Sequence, residues 1–453
     1  MNNTLRLKGK FGRGNAQHPG PPSLPANAVV TTNQIQDRLD DLHQIIAYWK
    51  TQPTFIDPLV EVRYKTIVAK SNRVKRLLSS HDKSANDSIV GAAFGTNQNG
   101  KPCHVITYYV KMGTIESTLK DLEIAKEILI HHGDSIGNKE LTSITHDGLA
   151  KIDAHMGLSK TSFAQIIRDA YYVERFTVKT YADPQQEHAL VSIYDTGRNG
   201  LQTVALLNKL GVNVLGANLL DTTTINMTPN QYRKLTETAP YLVAMSLKDM
   251  LELKFEPDSN QIDDQFVPSI PTPANEPTIG VIDTCFDEKN AYFSKWVEYH
   301  NELDSQIDIN PKDLVHGTEV TSLIVDGPTL NPALDDGCGR FRVRHFAVAK
   351  SGNNSSFTIM KTIRNIVSNN PDIKVWNLSL GSRLESPKNT ISPEAAMLDK
   401  LQNEYDIVFV VAGTNKTQKD SRIKPKRIGA PADSINSLVV NATSILKEPA
   451  SYT

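Results

Sequence analysis

Apolar positions recur along this chain in three rhythms, and each change of rhythm marks a change of architecture. In TTNQIQDRLDDLHQIIAYWKTQP, Ile35, Leu39, Leu42, Ile45, Ile46 and Trp49 fall three and four residues apart, the stripe of an amphipathic helix. Thr31 and Gln34 are spaced as its capping box, and Pro53 lies just past its end. Then LVEVRYKTIVAK, DSIVGAAFG and CHVITYYVK read as strands, and TLKDLEIAKEILIHHG as a helix stopped by Gly133. Residues 31–185 are therefore predicted to be an α+β domain. Residues 1–30, polar and rich in Pro and Gly, are predicted to be a flexible tail, because they cannot bury enough apolar surface to offset the entropy of ordering.

A second rhythm runs from 187 to 250. ALVSIY, VNVLGANLL, TTINMT and YLVAMSL read as strands, LQTVALLNKLG as a helix ended by Gly211, and PNQYRKLTETA as a helix with Thr228 as cap and Pro229 at its first position. The order is βαββαβ, a split βαβ unit, assigned to residues 186–254. Residues 255–276, rich in Pro and carboxylates, read as an extended linker.

From 277 the strands become apolar nearly throughout and alternate with helices: TIGVID, HFAVA, KVWNLSL, IVFVVAG and SLVVNAT, with SFTIMKTIRNIVSNN as a helix capped at Ser356. That pattern predicts a doubly wound α/β domain over 277–453, in which reactive groups collect at the carboxyl ends of strands.

Composition narrows the function. The chain has 453 residues, 39% of them hydrophobic, enough for two or three cores. Its 49 Lys and Arg balance 50 Asp and Glu, so no net field draws nucleic acid, and none is expected as partner. Cys103, Cys285 and Cys338 are widely spaced and form no C-x-x-C pair, which fits a reducing cytoplasm rather than a disulfide framework or a zinc knuckle. The N-terminus lacks an apolar core of signal-peptide length and no run approaches 18 apolar residues, so neither export by the usual route nor a membrane span is expected. The adjacent His131 and His132 have no third ligand at a useful spacing, and basic side chains favour a helix C-terminus anyway, so no metal is assigned.

KTSFAQ at 160–165 looks like a nucleophile motif. Ser162 precedes Gln165 by three residues at the head of an apolar-periodic run, so it reads as a helix cap. The chemistry is expected further on. GVIDT puts Asp283 at the end of a buried strand, and LVHGTEV puts His316 at the head of a helix, where a carboxylate could orient an imidazole as base. WNLSLGS ends a strand with Ser379, Leu380 and Gly381, where a peptide could pair through its backbone. VVAGTN ends another with Asn415, whose amide could donate to an oxyanion. Cys285, two residues past Asp283, is a rival nucleophile, against which stands the usual structural role of buried thiols.

In this order the four segments resemble the subtilisin-like serine proteases, the subtilase family. The resemblance implies Asp283 and His316 as catalytic, Ser379–Gly381 as substrate-binding strand and Asn415 as oxyanion donor. Two positions depart from the family pattern: Cys285 replaces a Gly, and Thr414 stands between Gly413 and Asn415. The family's Gly-Thr-Ser-x-Ala-x-Pro nucleophile motif does not occur before Thr453, which implies an incomplete domain with its Ser further on. The βαββαβ unit stands where many subtilases carry an inhibitory prodomain, a permanent accessory domain being the other reading. The resemblance implies a serine endopeptidase acting on polypeptide, without cofactor, with a structural calcium left open and a partner ATPase suggested by relatives with long N-terminal extensions. The alternative is a protease-like scaffold that binds polypeptide without cutting it. A nucleotide-binding protein is disfavoured, since neither G-x-G-x-x-G nor G-K-[ST] follows any strand.

Overall fold

A computed structural model of the protein describes residues 22–147, 157–179, 189–248, 270–330, 337–350, 355–381, 385–386, 391–413, 428–443 and 448. The first region lays helices on one face of an antiparallel sheet. β1 (Val29–Thr31) leads into α1 (Thr32–Lys50), where the Gln34 N–H donates to Thr31 Oγ1 and the Thr31 N–H to Gln34 Oε1, both at 3.3 Å, the expected capping box. There follow β2 (Leu59–Tyr64), β3 (Ile89–Thr96), β4 (Pro102–Tyr109), α2 (Met112–His131), β5 (Ser135–Gly137), α3 (Asn138–Asp147), α4 (Lys160–Tyr172) and β6 (Val173–Thr177). The sheet order is β3-β4-β2-β6, antiparallel throughout. Val60, Val62 and Tyr64 of β2 share one buried cluster with Leu42, Ile128 and Ile167 of the covering helices.

Several expectations are corrected here. Ser162 is not the cap of α4: Ser159 is, its Oγ accepting from the Ser162 N–H at 3.1 Å, while Gln165 turns instead to Asp169. The helix simply begins one turn earlier than the apolar run suggests. Residues 22–30, expected in the flexible tail, are packed instead: Leu24, Ala28 and Val30 are buried and β1 pairs with β5; the rest of the expected tail, residues 1–21, lies outside the described part.

The next unit comprises β7 (Ala189–Ile193), α5 (Gly200–Lys209), β8 (Thr224–Met227), α6 (Pro229–Thr238) and β9 (Val243–Lys248), with sheet order β8-β7-β9. Thr228 and Pro229 sit at cap and first position, as expected. The strand expected at 212–220 is absent. A single 3₁₀ turn, Gly216–Asn218, occupies it, and only an isolated antiparallel bridge, Leu219 to Ile225, survives where the fourth strand would pair. The unit is not walled off: Val191, Tyr194, Leu207 and Leu242 belong to the same cluster as the first region, and Thr107 Oγ1 lies 3.1 Å from Tyr194 Oη. Residues 255–269, most of the predicted linker, lie outside the described part.

The third region is parallel. Its elements are β10 (Thr278–Asp283), β11 (Val297–Asn301), α7 (Val315–Leu330), β12 (Arg342–Ala347), α8 (Ser356–Asn369), β13 (Val375–Leu378), α9 (Pro393–Tyr405), β14 (Val408–Ala412) and β15 (Leu438–Val440). Strand order β11-β12-β10-β13-β14-β15, every pair parallel, makes this the expected doubly wound α/β sheet. β11 was not anticipated, and α8 is capped by Ser355, with Ser356 its first helical residue. Ile282, Trp376, Leu378, Phe409 and Val411 pack on α8 and α9, whereas Val281 and Val343 alternate to the other face beneath Val325 of α7. That second face is only partly covered by described residues. Val375 and Val408 are 37% and 45% exposed, and an open cavity of about 380 Å³ lies between Ile279, Leu323, Ile324, Val375, Asn377 and Val410.

Candidate active site

β10 lies between β12 and β13, where the winding reverses, so Asp283 ends the strand at the topological switch point and lies opposite Ala347 of β12. The chain returns through a capped turn, Pro311–Leu314, in which the Asn310 N–H donates to Asp313 Oδ2 at 2.8 Å, and enters α7 with His316 as its second residue. Gly317 fixes how close this helix can come. A Cβ there would stand 2.5 Å from the Thr284 carbonyl oxygen and 2.6 Å from that of Cys285, so only glycine admits the approach. The Gly317 N–H donates to Thr284 Oγ1 at 2.9 Å and the Asp287 N–H to Thr318 Oγ1 at 2.9 Å, tying the helix start to the loop after β10.

The consequence is a contact across 33 residues: His316 Nδ1 lies 2.6 Å from Asp283 Oδ1. A carboxylate accepts, so Nδ1 carries the proton and Nε2 is the acceptor nitrogen. Asp283 is fully buried and His316 one-third exposed, so the pair has an inner and an outer end. Oδ1 also accepts from the Thr284 N–H at 2.6 Å, while Oδ2 is buried with no hydrogen-bond partner among the described residues. Burial pushes the His316 imidazole down, but the hydrogen bond and charge of Asp283, helped by Glu319, outweigh it and the net displacement is upward. This is the arrangement of an oriented general base.

Other expected residues fall as follows. Ser379, Leu380 and Gly381 lie just past the end of β13; Ser379 Oγ donates to Asn377 Oδ1 at 2.8 Å, and Leu380 is buried in the core shared with α8 and α9. A Cβ on Gly381 would be 3.9 Å from the Ala412 and Ala430 carbonyl oxygens, so this strand extension runs beside the end of β14. Asn415 lies outside the described residues. Cys285 is fully enclosed and hydrogen-bonded with Tyr299, and burial pushes its thiol up, away from thiolate chemistry. His131 and His132 close α2, without a role at this site.

One residue at the site escaped sequence reasoning. His345, within β12, is fully buried with Nε2 2.7 Å from the Thr284 carbonyl oxygen and Nδ1 2.8 Å from Thr321 Oγ1. The available signal was a lone imidazole in the otherwise apolar strand HFAVA.

Residues 274–453 match the family model described as the subtilase family, Peptidase S8. Among solved structures, the prenylagaramide maturation protease PagA is similar at 18% identity over 39% of this chain and 57% of that chain, with a TM-score of 0.29. Pseudomonas sedolisin, a serine-carboxyl proteinase complexed with pseudo-iodotyrostatin, matches at 16% identity over 39% and 53%, with a TM-score of 0.26. The psychrophilic subtilisin-like protease Apa1 from Pseudoalteromonas sp. AS-11 matches at 18% identity over 39% and 38%, with a TM-score of 0.28. The chain thus spans 57% or less of the length of each of these. No curated protein matches.

Proposed function

From the subtilase match over residues 274–453, we propose that the protein is a serine endopeptidase that hydrolyses peptide bonds through an Asp-His-Ser triad. The observation that carries the reading is the 2.6 Å contact between His316 Nδ1 and Asp283 Oδ1 at the switch point of the parallel sheet. In the reaction, His316 Nε2 takes the proton of a serine hydroxyl as that oxygen attacks the scissile carbonyl, and later returns it to the leaving amine. Asp283 holds the tautomer and stabilises the imidazolium, and Asn415 donates to the tetrahedral oxyanion. The strand extension Ser379–Gly381 pairs with the extended substrate. The nucleophile is assigned to a segment beyond Thr453.

The unit at 189–248 is proposed to act as an intramolecular prodomain. What supports this is its grip on the two helices of the other face: Leu220 belongs to their apolar cluster, Arg364 donates to the Leu220 carbonyl at 2.8 Å, and Lys400 lies 3.4 Å from Asp221. A polypeptide is the substrate that the reading requires; a cytoplasmic location is proposed from the cysteine pattern, and a partner ATPase from the family resemblance.

The test is to treat the protein, extended past Thr453 as encoded, with a fluorophosphonate probe and a peptide substrate. Labelling and hydrolysis are expected, with His316→Ala lowering turnover by about 10⁴-fold or more, as for Ser-His-Asp hydrolases in general. Full activity in His316→Ala would remove the base assignment, and an unreactive wild type would leave a polypeptide-binding scaffold.

A further inference from the structure

His345 occupies a position on an apolar face: it alternates with Phe346 on β12 and faces the same side of the sheet as its register partner Val281 and as Val343. A fully buried imidazole is tolerated only if both ring nitrogens are satisfied. Here both are, and the partners fix its state. The Thr284 carbonyl can only accept, so Nε2 carries the proton, and the neutral ring then accepts at Nδ1 from the Thr321 hydroxyl. Burial, acting against the Thr284 carbonyl and the Asp283 charge, holds the group below its usual pKa, in keeping with a neutral ring. Its faces are closed by Phe286 and Tyr299, at ring-centroid distances of 5.7 and 5.6 Å.

The partners are also the parts that build the candidate dyad. Thr284 donates from its backbone N–H to Asp283 Oδ1 at 2.6 Å and accepts on its hydroxyl from the N–H of Gly317, the residue after His316. Thr321 stands one turn further along α7, on the same face as Gly317, and a Cβ on Gly317 would lie 3.0 Å from His345 Cε1. One ring therefore touches the strand end that holds the carboxylate and the helix start that holds the base. We infer that His345 is a positioning residue, a strut that sets the distance and angle between Asp283 and His316 by pinning Thr284 on one side and the first turns of α7 on the other. The inference rests on the catalytic reading of that pair, and it concerns a residue that never meets substrate.

The test follows His316 itself by histidine ring NMR on the full chain, so it needs no turnover. His345→Phe keeps the ring volume but can neither donate to Thr284 nor accept from Thr321; His345→Gln keeps an amide donor for Thr284. If His345 is the strut, the His316 titration midpoint falls in the Phe variant, because Asp283 no longer meets Nδ1 squarely, and returns toward wild type in the Gln variant. Equal midpoints in folded wild type and His345→Phe would overturn the inference, as would a Gln variant displaced as far as Phe. Should His345→Phe fail to fold, Thr321→Val removes only the donor to Nδ1, and the same direction with a smaller shift is expected; an unmoved His316 there overturns it. If the wild type proves unreactive to the fluorophosphonate probe while these shifts occur, the protease reading falls and the strut remains.

Discussion

Both halves of the molecule bury a carboxylate, and they use it differently. In the antiparallel region Asp169 of α4 is 1% exposed, and its Oδ2 accepts from the N–H groups of Lys75, Arg76 and Leu77 at 2.9, 2.7 and 3.0 Å, while Gln165 donates to Oδ1. Both oxygens are directed inward, Oδ2 at three backbone N–H groups and Oδ1 at a side chain of the same helix, so the group staples a loop to a helix. In the parallel region Asp283 is equally buried, but it spends one oxygen on an imidazole whose far side reaches solvent and leaves the other without a partner among the described residues. Burial alone does not mark a reactive group. What does is whether one of its strong partners reaches outward into a cleft rather than back into the fold.

The sheets differ in the same sense. The antiparallel sheet shares one cluster with its helices and with the following unit. The parallel sheet is served by two separate clusters, one on each face. Trp376→Ala, which empties the middle of the larger of these and leaves Gly280 facing a void, should destabilise the parallel region by about 3–5 kcal/mol. Chemical denaturation should then separate into two transitions, the second retaining the wild-type midpoint of the antiparallel half. A single transition would mean that the contact through Leu220 couples the cores more tightly than their separate clusters suggest.

A smaller effect sharpens the contrast of carboxylates. Burial raises Asp169 from 3.8 to about 6 despite its backbone donors. Between those values the folded chain holds a proton that the unfolded chain has released, so stability falls as pH rises from about 4 to about 6 and is level above, a span of at most about 3 kcal/mol. Asp169→Asn keeps an acceptor for the three N–H groups and should flatten that slope in urea midpoints measured over this range. For His316 the sign gives a different window: with its folded pKa raised, its contribution is fully present below the unfolded value and is lost as pH rises through the folded one.

The smallest expected effect separates two serines three residues apart. Ser159→Ala removes the cap of α4 and should cost about 1 kcal/mol, whereas Ser162→Ala should move the thermal midpoint hardly at all. The reverse result would restore Ser162 as the cap that its spacing to Gln165 suggested.

That pair of serines shows where reading the chain reaches its limit. Spacing alone identified a cap near residue 160, but helix entry was decided by where the preceding chain could bring Ser159. VNVLGANLL has the composition of a strand and became a turn with one surviving bridge, because strand propensity is realised only when an edge is available to pair with. By contrast, β10, β12, β13, β14 and β15, Asp283 at a strand end and His316 at a helix head were all legible, since uninterrupted apolar runs and helix-start signals are local properties, whereas the polar edge strand β11 was not.

The amino-acid sequence by itself determined the parallel architecture of residues 277–453, the pairing of Asp283 with His316, and the α+β character of residues 31–185, whose antiparallel pairing came only with the structure. Tertiary structure alone decided that the two would meet at 2.6 Å, that Gly317 must be glycine, and that His345 would stand behind them. The physical reason is one of range: periodicity reports which side of its own element a residue occupies, whereas a hydrogen bond across 33 residues, or across the 61 between Thr284 and His345, exists only once the sheet has set the strand ends side by side.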